Sequence, residues 1–116
     1  MHSIARITAI GSFVPEKKMS NDDFAQIVET SDEWIVQRTG IRERRIADEN
    51  TFSSHLAINA IADLAKRYNQ KMDDVDFILV CTTTPDFAFP SVASLVQAHF
   101  GIKQAGALDL NAACAG

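Results

Sequence analysis

Apolar positions recur along this chain with two different periods, and each change of period marks an element. Over residues 52–68, Ala57, Ile61, Leu64, Ala65 and Tyr68 return at helical spacing, which predicts one amphipathic helix with that face buried. Val75-Asp76-Phe77-Ile78-Leu79-Val80-Cys81-Thr82 is rich in β-formers and does not alternate, the pattern of a strand covered on both faces. Residues 4–14, IARITAIGSFV, read as a strand that bends at Gly11 and stops at Pro15. Asn21-Asp22-Asp23 opens a short helix through Val28, with its carboxylates at the favourable end of the dipole. Ser31 is placed to cap a helix over Trp34–Thr39, and Gly40 to end it. Ile41 to Ile46 is charged and extended. Ser91 caps a further helix that Gly101 ends, and Ala107-Leu108-Asp109-Leu110 is a last strand. Strand, helix, strand in that order predicts a βαβ unit, hence a parallel pair with a right-handed crossover. The next element of such a unit is a helix, due where the sequence ends.

Composition narrows the class. The chain has 116 residues, 47% hydrophobic and 22% charged, with a formal net charge of -4. That is the size and make-up of one soluble domain or part of one. Its apolar runs are far shorter than the roughly 20 residues that span a bilayer, so no membrane segment is expected. MHSIARITAIGSFVPEKK lacks the charged region, long apolar stretch and small-residue site of a signal peptide. A mildly acidic chain argues against non-specific nucleic-acid binding. Two cysteines, Cys81 and Cys114, make no disulfide framework and fit a reducing cytoplasm.

Candidate chemistry gathers at two places. Cys114 sits just past a predicted strand among Ala113, Ala115 and Gly116. Small neighbours let a side chain project from a sharp strand-to-helix turn, as in nucleophile elbows. A following helix would favour the thiolate through its free N–H groups, and thiolates suit acyl transfer through thioesters. A small buried hydrophobe is the competing reading, and the spacing leaves both open. Cys81, inside the apolar strand, reads as core. Trp34 and Arg38 lie four residues apart on one helix and share a face. An exposed indole can stack on a nucleobase and a guanidinium can hold phosphates, whereas a core Trp beside a solvated charge run explains the same residues. Arg38, Arg42, Arg44 and Arg45 form a local cationic patch. Phe87-Ala88-Phe89-Pro90 is an apolar loop that fits a core or a partner's surface. His55 and His99 form no metal-like pair, and no Walker loop, GxGxxG or CxxC is present.

Thr30-Ser31-Asp32-Glu33-Trp34-Ile35-Val36-Gln37-Arg38-Thr39-Gly40-Ile41-Arg42-Glu43-Arg44 strongly resembles β-ketoacyl-acyl-carrier-protein synthase III. Phe89-Pro90-Ser91 and Asp109-Leu110-Asn111-Ala112-Ala113-Cys114-Ala115-Gly116 agree in order and spacing, as does Ile10-Gly11-Ser12-Phe13-Val14-Pro15-Glu16. The resemblance covers essentially the whole chain. It implies an α/β, thiolase-like fold, with a mixed five-stranded sheet layered with helices, of which residues 1–116 make the incomplete first half. It implies an acyltransferase that condenses acyl-CoA, acetyl-CoA above all, with malonyl-acyl carrier protein. The product, 3-oxoacyl-acyl carrier protein, starts fatty acid synthesis. By match, Cys114 is the nucleophile and its backbone N–H an oxyanion-hole donor. Trp34 stacks on the CoA adenine, Thr30 and Arg38 contact the CoA nucleotide, and Phe89 reaches across a homodimer to close the partner's acyl pocket. No metal and no cofactor are expected, acyl-CoA being a substrate. The catalytic His and Asn fall beyond Gly116, in a remainder of the enzyme that can be a separate chain. Cut there, the chain is expected to leave apolar strand faces such as Val75–Val80 uncovered. Two alternatives remain: a synthase-III-like transferase of specialised metabolism, or a non-catalytic CoA-binding fragment. The Trp34–Arg38–Arg44 pattern speaks against a 3-hydroxy-3-methylglutaryl-CoA synthase.

Overall fold

The computed structural model describes residues 4–116. They form two compact units, Val14–Thr51 and the sequence on either side of it, up to Phe13 and from Phe52 to Gly116.

The smaller unit is built by local signals. Strand β1 (Lys18–Ser20) pairs antiparallel with β2 (Glu43–Arg45), Met19 opposite Arg44. Lys18 bridges Glu43 at 2.9 Å. That bond holds the Glu43 carboxyl below its usual range. Helix α1 (Asn21–Ala25) starts from a reciprocal cap. The Ser20 Oγ accepts from the Asp23 N–H at 3.1 Å, while the Ser20 N–H donates to the Asp23 carboxylate at 2.9 Å. The helix ends at Ala25, short of the expected Val28, and residues 26–29 are turn and bend. Helix α2 (Asp32–Thr39) has the predicted ends. Ser31 Oγ accepts from the Trp34 N–H at 3.2 Å, and Gly40 closes the helix at φ +73°. Only glycine adopts that conformation freely. Ile35 is the buried residue of this helix.

The larger unit holds the parallel pair. Helix α3 (Ser53–Tyr68) precedes β3 (Phe77–Cys81), helix α4 (Val92–Phe100) and β4 (Gly106–Leu110). β3 and β4 run parallel, with Phe77, Leu79 and Cys81 opposite Gly106, Leu108 and Leu110. α4 carries the core, since Val92, Ala93 and Val96 are fully or almost fully buried. Burying one valine contributes roughly 1.5–3 kcal/mol. Gly11 lies against α3, where a Cβ would stand 2.3 Å from the Ala60 carbonyl oxygen. Ser12 N–H donates to Asp63 of the same helix at 2.9 Å.

Four further expectations change. Residues 4–14 form no strand, and Ile4, Ile7 and Ile10 are exposed. A strand is defined by the ladder it joins, and no other segment among the described residues pairs with this one. Tyr68 is exposed, as the last residue of α3, in a stretch from 66 to 70 that is exposed throughout. β3 is covered on one face only: burial alternates along it, and Phe77 and Leu79 stand exposed beside Leu108 of β4. The uncovered strand face is thus present as expected. Finally, Cys114 lies in a 3-10 turn (Ala113–Ala115) rather than at the start of an α-helix. Of the five-stranded mixed sheet that the resemblance implies, the described residues of this chain contain one parallel pair. No described helix is long and apolar enough to cross a membrane.

Candidate active site

Cys114 is exposed on the turn that follows β4. Ala113, just before it, has φ +46°, so the backbone bends sharply at the predicted place. The turn is closed by hydrogen bonds from the Ala115 and Gly116 N–H groups, to Ala112 and Ala113 at 2.9 and 3.2 Å. The Cys114 N–H stays outside this ladder. The thiol opens onto a cleft of about 470 Å3 lined by Cys81, Thr82, Thr83, Thr84, Leu110 and Ala113. In this structure Cys114 is thus not a buried hydrophobe. Cys81 is exposed as well, which corrects its reading as core: it points to the uncovered side of β3.

The strand that leads to Cys114 is fixed by a residue that sequence reasoning passed over. Asp109 accepts from the Val92 and Ala93 N–H groups at 2.7 and 2.8 Å, capping α4 from β4. The signal was available. A carboxylate between Leu108 and Leu110 must find donors, since burying it unpaired is costly. Asp86 does the same for α3, accepting from the backbone N–H of Ser54 at 2.9 Å and from its hydroxyl. Phe89 lies in the loop between these helix starts and is 88% exposed, beside an exposed Phe87. Neither phenylalanine is tucked into a core.

In the smaller unit, Thr30 and Trp34 come together with Glu29 and Ser31 around a hollow of about 270 Å3. Trp34 is 57% exposed, so the core-tryptophan reading fails. Arg38 is exposed one turn further along α2 and does not line this hollow. Among the described residues, neither Arg38 nor Arg42 has an ion-pair partner. The other two arginines of the cationic patch serve the fold. Arg44 donates to the Ser20 carbonyl and to Asn21, and its guanidinium lies 4.5 Å from the Phe24 ring centre. Arg45 donates to the Pro15 carbonyl at 3.0 Å. The patch is therefore narrower than the sequence suggests, with Arg38 and Arg42 its free cations.

The fold, with its parallel pair, is that of the thiolase-like class. The Thermus thermophilus β-ketoacyl-acyl-carrier-protein synthase III superposes with a TM-score of 0.85 at 50% identity, over 93% of this chain and 33% of that one. The priming β-ketosynthase of the R1128 polyketide pathway gives 0.82 at 28% identity, over 90% and 31%. In sequence, the chain is 61% identical over 114 residues to β-ketoacyl-acyl-carrier-protein synthase III 2 of Halalkalibacterium halodurans, covering 98% of this chain and 34% of that protein. It is also 61% identical over 116 residues to the protein of that name in Staphylococcus epidermidis, covering 100% and 36%. No protein-family model matches. Over essentially all of its own length, then, the chain matches part of the β-ketoacyl-acyl-carrier-protein synthase III family. It spans about a third of the length of the curated relatives it matches.

Proposed function

We propose that residues 1–116 are the N-terminal part of the first thiolase-like domain of an enzyme that starts fatty acid synthesis. The enzyme condenses acyl-CoA, acetyl-CoA above all, with malonyl-acyl carrier protein to give 3-oxoacyl-acyl carrier protein. The carrying observation is the exposed Cys114 thiol, on a bent turn at the mouth of a cleft. In the first half-reaction its thiolate attacks the acyl-CoA thioester and CoA leaves as the thiol. The Cys114 N–H, free of the turn's own ladder, is a donor for the oxyanion. In the second, malonyl-acyl carrier protein loses carbon dioxide, and its carbanion takes the acyl group from Cys114. The His and Asn that assist this step belong to polypeptide outside this chain.

Trp34 stacks on the CoA adenine, with Thr30 beside it in the same hollow, and Arg38 meets the nucleotide phosphates. The exposure of Trp34 and the unpaired state of Arg38 support these roles. Phe89, held out of its own core, closes the acyl pocket of a partner in a homodimer. The working location is the cytoplasm, and acyl-CoA is substrate rather than resident cofactor. A specialised starter-unit transferase is the second reading, favoured by the likeness to the R1128 priming enzyme. Identities of 50–61% to fatty-acid synthases III weigh against it.

The test is covalent labelling. The protein at its full natural length, incubated with radiolabelled acetyl-CoA and digested, is expected to carry label on the Cys114 peptide and none in Cys114→Ser. Label on Cys81, or label that survives Cys114→Ser, overturns the assignment.

A further inference from the structure

Cys81 and Cys114 are both free and exposed, and they line one cleft. The topology explains why. Cys81 ends β3 opposite Leu110, and the Thr82 N–H donates to the Leu110 carbonyl at 3.2 Å, so the chain leaves β4 alongside Cys81. The 3-10 turn then folds back. At Gly116, two residues past Cys114, a Cβ would stand 3.4 Å from the Cys81 Cβ and 3.8 Å from its Sγ. The turn is held by two hydrogen bonds and carries Ala113 in the left-handed region, a strained place for an alanine.

We propose that Cys81 is a resolving thiol for Cys114, and that peroxide closes the two into an intramolecular disulfide. The Cys114 thiolate attacks one peroxide oxygen. An S–O bond forms, the O–O bond breaks, and the hydroxide that leaves is protonated to water. The sulfur is oxidised by two electrons to a sulfenic acid. The Cys81 thiolate then attacks that sulfur, the S–S bond forms and the S–O bond breaks. The second hydroxide takes up the proton that Cys81 gave. Two thiols and one hydrogen peroxide thus become one disulfide and two waters. A disulfide needs Cα atoms within about 7 Å. The linked peptide reads directly whether the two thiols reach that spacing. The gain is protection. A sulfenic acid without a nearby thiol goes on to sulfinic acid, which thiol reductants do not restore. A cytoplasmic disulfide of this kind is transient, as redox-responsive pairs there are.

The effect on activity rests on reading Cys114 as the acyl-accepting nucleophile, whereas the bond itself is read without turnover. The protein at its full natural length is treated with hydrogen peroxide, its free thiols are alkylated, and the digest is analysed by mass. The expected product is a Cys81–Cys114 linked peptide, lighter by two hydrogens than the sum of its parts and released by dithiothreitol. In Cys81→Ala the link is absent, and Cys114 is trapped by dimedone or found as sulfinic acid. Acyl-CoA labelling lost to peroxide returns on reduction in the native protein and stays lost in Cys81→Ala. Over-oxidised Cys114 with Cys81 still alkylatable in the native protein, or a link only between molecules, overturns the proposal. A linked peptide with no acyl labelling before oxidation keeps the thiol pair and overturns the proposed reaction instead.

Discussion

Arg44 donates from Nη2 to the Oδ1 of Asn21 at 2.8 Å, and this bond helps tie β2 to the start of α1. Asn21 is 1% exposed and fully used. Its Nδ2 donates to Asp32 at 2.7 Å and to the Ile41 carbonyl at 2.8 Å. One buried amide thereby fixes both ends of α2, the helix that presents Trp34 and Arg38. Replacing it leaves the Arg44 guanidinium and a carbonyl short of partners. Asn21→Ala is expected to cost about 1–3 kcal/mol, read as a lower urea midpoint. Arg42→Ala, at an exposed and unpaired site, is expected to stay within about 0.5 kcal/mol.

Gly11 tests a different constraint. Its need is space rather than backbone freedom, since a Cβ would stand 2.3 Å from backbone oxygen and 2.6 Å from the Leu64 Cβ. Gly11→Ala is expected to destabilise by about 1–3 kcal/mol, as overpacking against a helix backbone does. An unchanged thermal midpoint would show that residues 4–13 do not dock on α3.

Trp34 and Arg38 separate binding from folding. Both are exposed, so their truncation leaves the urea midpoint in place. Loss of base stacking is worth about 1–3 kcal/mol, so Trp34→Ala is expected to weaken acyl-CoA binding roughly fivefold or more. Arg38→Ala should weaken it too, by an amount that shrinks as salt rises. Calorimetry with CoA on the full-length protein reads both.

Acid tests the link between residues 4–13 and α3. The Ser12 N–H, and then the Arg67 guanidinium, hold the Asp63 carboxyl below its ordinary 3.8. A depressed carboxyl stabilises the folded state fully above its unfolded value and loses that contribution as pH falls through the lower, folded one. Stability should therefore decline below about pH 4. Asp63→Asn is expected to flatten that decline. Equal slopes in the two proteins would remove Asp63 from the acid response.

What the sequence disclosed was what local chemistry decides. Ser31, Gly40, Ser91 and Gly101 act on neighbours within a turn, and all four cap where their residue types predict. The position of Cys114 after a strand was legible for the same reason. The carboxylate caps were not, because Asp86 reaches across 32 residues to Ser54 and Asp109 across 17 to Val92. Such bonds exist only once the parallel pair has set the loops beside the helices. The segment from Ile4 to Val14 has strand composition, yet composition cannot supply the strand it must pair with. The apolar run of β3 likewise predicted two covered faces, but a run states demand for cover and says nothing of which chain provides it.

The two carboxylate caps also close two places where a phosphate could have bound. Helix N-termini are ready anion sites, but Asp86 and Ser91 with Asp109 already occupy the leading N–H groups of α3 and α4. A phosphate approaching either end would meet a carboxylate first. Neither of these two helix dipoles is open to an anion. If Arg38 meets phosphate as proposed, the grip is that of an exposed side-chain cation and not of either capped helix end.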